Sequence, residues 1–395
     1  MQLLNGTVQR YVWGTTDAIF ELLGCQPDGE PFAEYWLGAH ALSPAFTPQG
    51  GLDDLVKRHP QWLGQATADA YGPQLPFLLK VLSARHALSL QAHPNREQAE
   101  AGFARENAAG IDLTSPQRVY TDDWPKPEIL IALDTFESLN GFREPQATAE
   151  LFAGLGVAEE LASVIRPLTE RKGAAGLAQV FLDILSLDGD RKHLIDVVAA
   201  AAMKHSNDEG PVGDFARTAV DLDHAFPGDR GVLAALLLNR VTLSPGEAVY
   251  VAPGQMHAHL RGTGIEVMAT SDNVIRGGLT PKHIDVHELV SVVDFAPQPP
   301  QLTLPVENRP GVDRYKTPCP EFDVWRVRVS PGLGTIRLPG SRSARIALVT
   351  SGEVVITSGE SVQLRKGGSV FLSAEELDAS ISGDGVVFVA ASGLR

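Results

Sequence analysis

Gln91 and His93 stand two residues apart in residues 88–95, where apolar and polar side chains alternate. In a strand, side chains two apart share a face, so an amide oxygen and an imidazole are aimed at one point inside a β-barrel. That is half of a metal site. Glu128 opens the apolar run that ends at Leu133, and His257 follows a glycine turn. A carboxylate facing an apolar core is costly unless it is paired or bound to metal. Two imidazoles, a carboxylate and an amide oxygen suit one Zn²⁺ per chain, with a position left for water. A lone barrel histidine is usually a hydrogen-bonded core residue. Four donors at strand-compatible points are harder to explain that way.

These residues need strands to carry them. Residues 1–50 read as short strands broken by glycine, and these could join either of two barrels. Helical spacing follows over 52–72. Residues 76–82 form an apolar run interrupted only by Lys80, which reads as an edge residue that snorkels or as a cation placed to meet an anion. Residues 95–108 read as a helix and 128–133 as a strand after two prolines. From 145 to 240, apolar residues recur every three or four positions, the mark of a helical insertion. His193, His205 and His224 lie there without partners at ligand spacing and are expected at the surface or at caps.

Strands resume at 241. Residues 246–257 carry a G-x5-A-x-G-x2-H pattern that resembles the second motif of cupin barrels, with Ala252 where proline is usual. His257 and His259 share a face if that strand is regular. Residues 264–282 place Glu266, Asp272, Arg276 and Lys282 among small residues, unlike an ordinary core strand. Residues 297–300 read as a linker. Beyond 305 the chain is β again and contains no histidine, so a second cupin-type barrel would lack metal ligands. The expected fold is mainly β with α: tandem cupin-type jelly-roll barrels with an all-α insertion. The expected domains are a discontinuous catalytic barrel (1–144 with 241–300), a helical insertion (145–240) and a C-terminal barrel (301–395).

Composition narrows the function classes. The chain has 395 residues, 44% of them apolar, and no run long enough to span a membrane. Its net charge of −15 argues against nucleic acid and anionic membrane as partners. Two cysteines, with no signal-peptide apolar region, suggest the cytoplasm.

Gln91-Ala92-His93-Pro94, Lys126-Pro127-Glu128 and the run from Ser271 through Arg276 to Lys282 resemble the signatures of type I mannose-6-phosphate isomerases, as do Trp13-Gly14 and the run from Ala33 to Gly38. The resemblance implies a monomeric zinc enzyme acting on a small hexose phosphate, interconverting mannose 6-phosphate and fructose 6-phosphate through a cis-enediol. It implies Gln91, His93, Glu128 and His257 as zinc ligands and Arg276 as a catalytic residue. Lys80, Ser89, Lys126 and Lys282 become candidates for binding the anionic end and polarising hydroxyls.

The chain departs from that pattern twice. It has Trp124-Pro125 where the family often has Asn-His, which removes a histidine base. It has His257-Ala258-His259 where the family often has His-Ala-Tyr. His259 is then either a base or a steric stand-in for tyrosine, with Glu266 and Asp272 as other candidates for base or relay. Two alternatives compete: a catalytically inactive sugar-phosphate-binding cupin, and a metal-dependent cupin dioxygenase. The latter usually carries three histidines and one glutamate, and this chain offers Gln91-Ala92-His93.

Overall fold

The computed structural model describes residues 1–394. Two antiparallel sheet systems dominate, with most of the helices between Pro145 and Ala235. In the first system Glu128–Ala132 lies between Ala248–Val251 and His257–Ala269, followed by Phe77–Ala84, Glu34–Gly38 and Thr7–Gln9. Lys80 therefore sits mid-sheet, opposite Trp36 on one side and Glu266 on the other. It is buried, which rules out an exposed edge residue.

The long strand His257–Ala269 organises this half. Its first residues pair with Phe136–Phe142 and, at His257, with Gln91. Its later residues pair with Phe77–Ala84 and Glu128–Ala132. The change of partners occurs at a register shift between His259 and Arg261, beside Gly262 with φ 119°. A Cβ at Gly262 would lie 2.8 Å from the Phe136 Cα, so only glycine lets the strand turn there.

The helices pack on the face behind this bend. Leu177, Val180, Phe181 and Ile184 share a core with Leu90, Leu139, Phe142 and Ile275. The closest approach is glycine on glycine. A Cβ on Gly278 would lie 2.4 Å from the Gly231 Cα. The insertion thus rests directly on the strand Ile275–Gly278 that carries Arg276.

The sequence reading missed two short helices. Ala18–Leu23 starts where the Asp17 side chain accepts from Ala18 N and stops at Gly24, φ 67°. Val286–Val292 is capped by Asp285, which accepts from Glu288 N. Six or seven residues are too few to show a helical period against a strand-rich background. The stretch 297–300 is also no free linker. Gln298 N donates to Phe142 O (3.0 Å), and Gln298 O accepts from Asn239 Nδ2 (2.8 Å).

The C-terminal system is built around Arg345–Ser358 and Ser380–Ala391. The two systems exchange strands. Gln2–Leu4, which the sequence left free to join either barrel, pairs with Ser369–Phe371. Leu302–Thr303, placed with the second, pairs with Ala248–Val249. A shared core, with Leu37, Leu79 and Ile265 against Phe322, Ile346 and Phe388, holds the two together.

Candidate metal centre

Gln91 is opposite His257 in one strand pair and opposite Arg276 in the next. Glu128 is in register with Val251 and Met268. These registers draw the expected ligands to one point. The Gln91 amide is 3.3 Å from His257 Nε2. Glu128 Oε1 is 3.4 Å from His93 Nε2, and Glu128 Oε2 is 3.5 Å from His257 Nε2. A tetrahedral ion with bonds of about 2.0–2.2 Å separates its ligands by about 3.3–3.6 Å. These three separations fall in that range.

The ring nitrogens are set for coordination. His93 Nδ1 donates to Asn273 O (2.8 Å) and His257 Nδ1 to Gln255 O (3.2 Å), so both Nε2 atoms face Glu128. His93 Nε2 is buried and makes no hydrogen bond among the described residues. Such an orphaned nitrogen is what a metal ion would satisfy. A half-turn of the Gln91 amide presents its oxygen rather than its nitrogen to the same point. Burial pushes His93 down to about 4, which keeps the imidazole neutral and able to ligate. Burial works against the charged form of Glu128, yet the Lys126 ammonium beside it holds its carboxyl below the ordinary range.

A second row begins at Glu128. Glu128, His259 and Glu266 offer ligand atoms within 4.8 Å of one another. His259 Nε2 is 3.6 Å from Glu266 Oε1, and His259 Nδ1 meets the Ser138 hydroxyl at 3.2 Å. Lys80 Nζ lies 3.1 Å from Glu266 and 3.5 Å from Glu34, over the Trp36 ring at 4.8 Å. Burial alone would lower the Lys80 pKa; Glu34, Glu266 and Glu128 raise it instead, so the ammonium stays charged. Burial likewise opposes ionised Glu266, and Lys80 outweighs it.

The remaining candidates divide into groups. Lys126 Nζ is 3.3 Å from Glu128, beside the metal ligands. The Ser89 hydroxyl is 3.5 Å from the Gln91 oxygen. Arg276 and Lys282 have no carboxylate within ion-pairing distance among the described residues, and both are pushed down by burial, Lys282 also by Arg276. The two cations act on one another without a carboxylate counter-charge among the described residues. Asp272 pairs with His40 at 3.0 Å, and Lys126 and Lys80 also act on its carboxylate. Trp124 packs between Tyr71 and Arg96, so no base stands there.

Sequence reasoning missed Glu34, Asp122 and Asn273 as parts of the site. Glu34 also accepts from Trp36 Nε1 (2.9 Å). Its charge within the apolar motif of residues 33–38 was the available signal. Asp122 and Asn273 act through hydrogen bonds that tie loop to loop and left no signal at ligand spacing.

Residues 1–145 match the family model described as phosphomannose isomerase type I, catalytic domain. The mannose-6-phosphate isomerase of Salmonella typhimurium is 38% identical over 395 residues, covering 98% of each chain. That of Rattus norvegicus is 33% identical, covering 94% of this chain and 93% of its own. A zinc-bound crystal structure of mannose 6-phosphate isomerase superposes with a TM-score of 0.89 at 35% identity, over 99% of both chains. The apo form from Salmonella typhimurium gives 0.90 over the same share. With its sheets, ligand geometry and full-length likeness in agreement, the chain belongs to the type I mannose-6-phosphate isomerase family.

Proposed function

We propose that this protein is a zinc-dependent aldose–ketose isomerase that interconverts mannose 6-phosphate and fructose 6-phosphate. The observation that carries the reading is the convergence of His93, Glu128 and His257, with Gln91 beside them, around an unsatisfied buried nitrogen. Its full-length relatives bear the name of that enzyme. Zinc, when bound, supplies a Lewis acid that polarises the oxygens at C1 and C2 of the sugar.

The side chains do the rest. Lys282 takes the phosphate, which supplies remote binding energy for orientation. Arg276 brings a fixed positive charge to the oxyanion that develops along the path to the cis-enediol. Lys126 and Ser89, beside the ligands, hold sugar hydroxyls. Glu266 is the proton carrier between C1 and C2. In the resting site Lys80 suppresses its basicity. As a substrate oxygen takes the Lys80 hydrogen bond, that restraint relaxes and the carboxylate accepts a proton. His259, tethered between Ser138 and Glu266, orients the carboxylate and presents no free lone pair to substrate. Asp272, paired with His40, holds the loop at the mouth.

The enzyme works as a cytoplasmic monomer. Its free cysteines fit a reducing compartment, and among the described residues no helix is long and apolar enough to cross a membrane. A sugar-phosphate binder without catalysis would not need the Lys80–Glu266–His259 row. The deciding assay couples mannose 6-phosphate conversion to detection of fructose 6-phosphate, with and without a chelator. Conversion that disappears on chelation and returns with zinc supports the reading. Full activity after complete metal removal overturns it.

A further inference from the structure

Three loops meet behind the metal ligands. Asn273 is buried, and its backbone carbonyl accepts the His93 Nδ1 hydrogen bond at 2.8 Å. Its side chain anchors that carbonyl. Asn273 Oδ1 accepts from Thr121 N (2.9 Å), and Asn273 Nδ2 donates to Asp122 O (2.8 Å) and Trp124 O (2.9 Å). The Asp122 carboxylate accepts from Ser271 Oγ (2.7 Å), Asp272 N (2.8 Å) and Trp124 N (3.0 Å). Ser271 Oγ also accepts from Asn273 N at 3.2 Å.

We propose that Asp122, Ser271 and Asn273 are positioning residues that lock the two loops flanking the metal centre into one clasp, and so fix the orientation of His93. The inference rests on the zinc reading above. One loop leads into Glu128–Ala132, which begins with a metal ligand; the other leads into Ile275–Gly278, which carries Arg276. The clasp therefore sets three things together: the His93 tautomer, the approach of Glu128 and the position of Arg276. Neither loop contributes a ligand through these residues, so their effect reaches the ion only through hydrogen bonds. Removing such partners typically weakens metal binding about 10- to 100-fold.

The test uses the full chain loaded with zinc, and separately with cobalt as a spectroscopic probe. Asn273→Ala keeps the carbonyl that faces His93 and removes the anchors that hold it. The clasp predicts zinc affinity, measured by chelator competition, falling about 10- to 100-fold, with an altered visible cobalt spectrum. Val354→Ala, in the buried core of the C-terminal sheet, serves as a control that lowers stability without touching the clasp. It should leave both readouts unchanged. Ser271→Ala removes a single hydroxyl and covers the case in which Asn273→Ala fails to fold; it should speed zinc release. Zinc affinity and cobalt spectrum like wild type in a folded clasp variant would overturn the proposal. A wild-type protein that takes up no zinc would instead overturn the zinc reading beneath it, and the two failures are distinct because one is seen without any variant.

Discussion

Arg276 stands directly opposite Gln91 in the antiparallel pairing of Ile275–Gly278 with Leu90–Ala92. The unpaired cation is thus one strand away from a metal ligand and contacts no carboxylate among the described residues. Arg276→Ala should keep the fold and bound zinc and lose turnover by about 10²–10³-fold, the usual cost of a lost oxyanion donor. Metal content and kcat measured on the same preparation check this. A near-normal kcat would refute the role.

Glu128 is the carboxylate shared by His93 and His257. Glu128→Ala leaves Lys126 without its partner and removes a charged ligand from the tetrahedron. The variant should purify with little zinc and show no turnover, read by elemental analysis against wild type. Retention of one equivalent of zinc would show that the other three donors suffice.

His259 reaches Glu266 through Nε2, where relatives often have a tyrosine that could also donate. His259→Tyr should therefore keep turnover within about tenfold, whereas His259→Phe, which removes the donor, should lose about 10²-fold or more. Equal losses in both would show that the imidazole itself carries the proton.

Glu137 reports on the stability of the bend rather than on catalysis. Burial opposes its ionisation, but Arg261 (2.7 Å) and Arg240 pull its pKa below the ordinary 4.5. A carboxyl depressed in the folded state stabilises the fold above its unfolded pKa. That contribution is lost as pH falls through the folded value. Glu137→Gln should cost about 1 kcal/mol at pH 7, because the Arg261 partner is exposed and screened. The gap to wild type should narrow below pH 4.5, as followed by denaturant melts across pH.

Gly231 touches Gly278 two residues after Arg276. Gly231→Ala places a methyl 2.7 Å from the Gly278 Cα, so backbone must move. The expected loss is about 1–3 kcal/mol of stability, together with a lowered kcat as Arg276 shifts. A variant with lowered melting temperature and wild-type kcat would show that the insertion does not set the arginine.

Much of the site was legible because its strands have a period of two. Gln91 with His93, and His257 with His259, project to one face wherever the backbone is extended. Glu128 was legible for another reason: an ionised group opening an apolar strand must have a partner. The helices from 145 to 240 announced themselves through apolar spacing. The short helix Ala18–Leu23 did not, because its cap is a single hydrogen bond from Asp17.

Residue types and spacing alone proposed the donor set, and they determined the helical insertion and the absence of histidine from the C-terminal sheets. Only the tertiary structure decided what each cation faces. Lys80, a candidate for the anion, is paired with Glu34 and Glu266, 46 and 186 residues away along the chain, across neighbouring strands. Asp272, a candidate base, is paired with His40. The strand exchange that places Gln2–Leu4 on the C-terminal sheet is likewise invisible locally. Register and pairing between distant strands set these contacts, and both follow from burying the whole core at once rather than from any local preference.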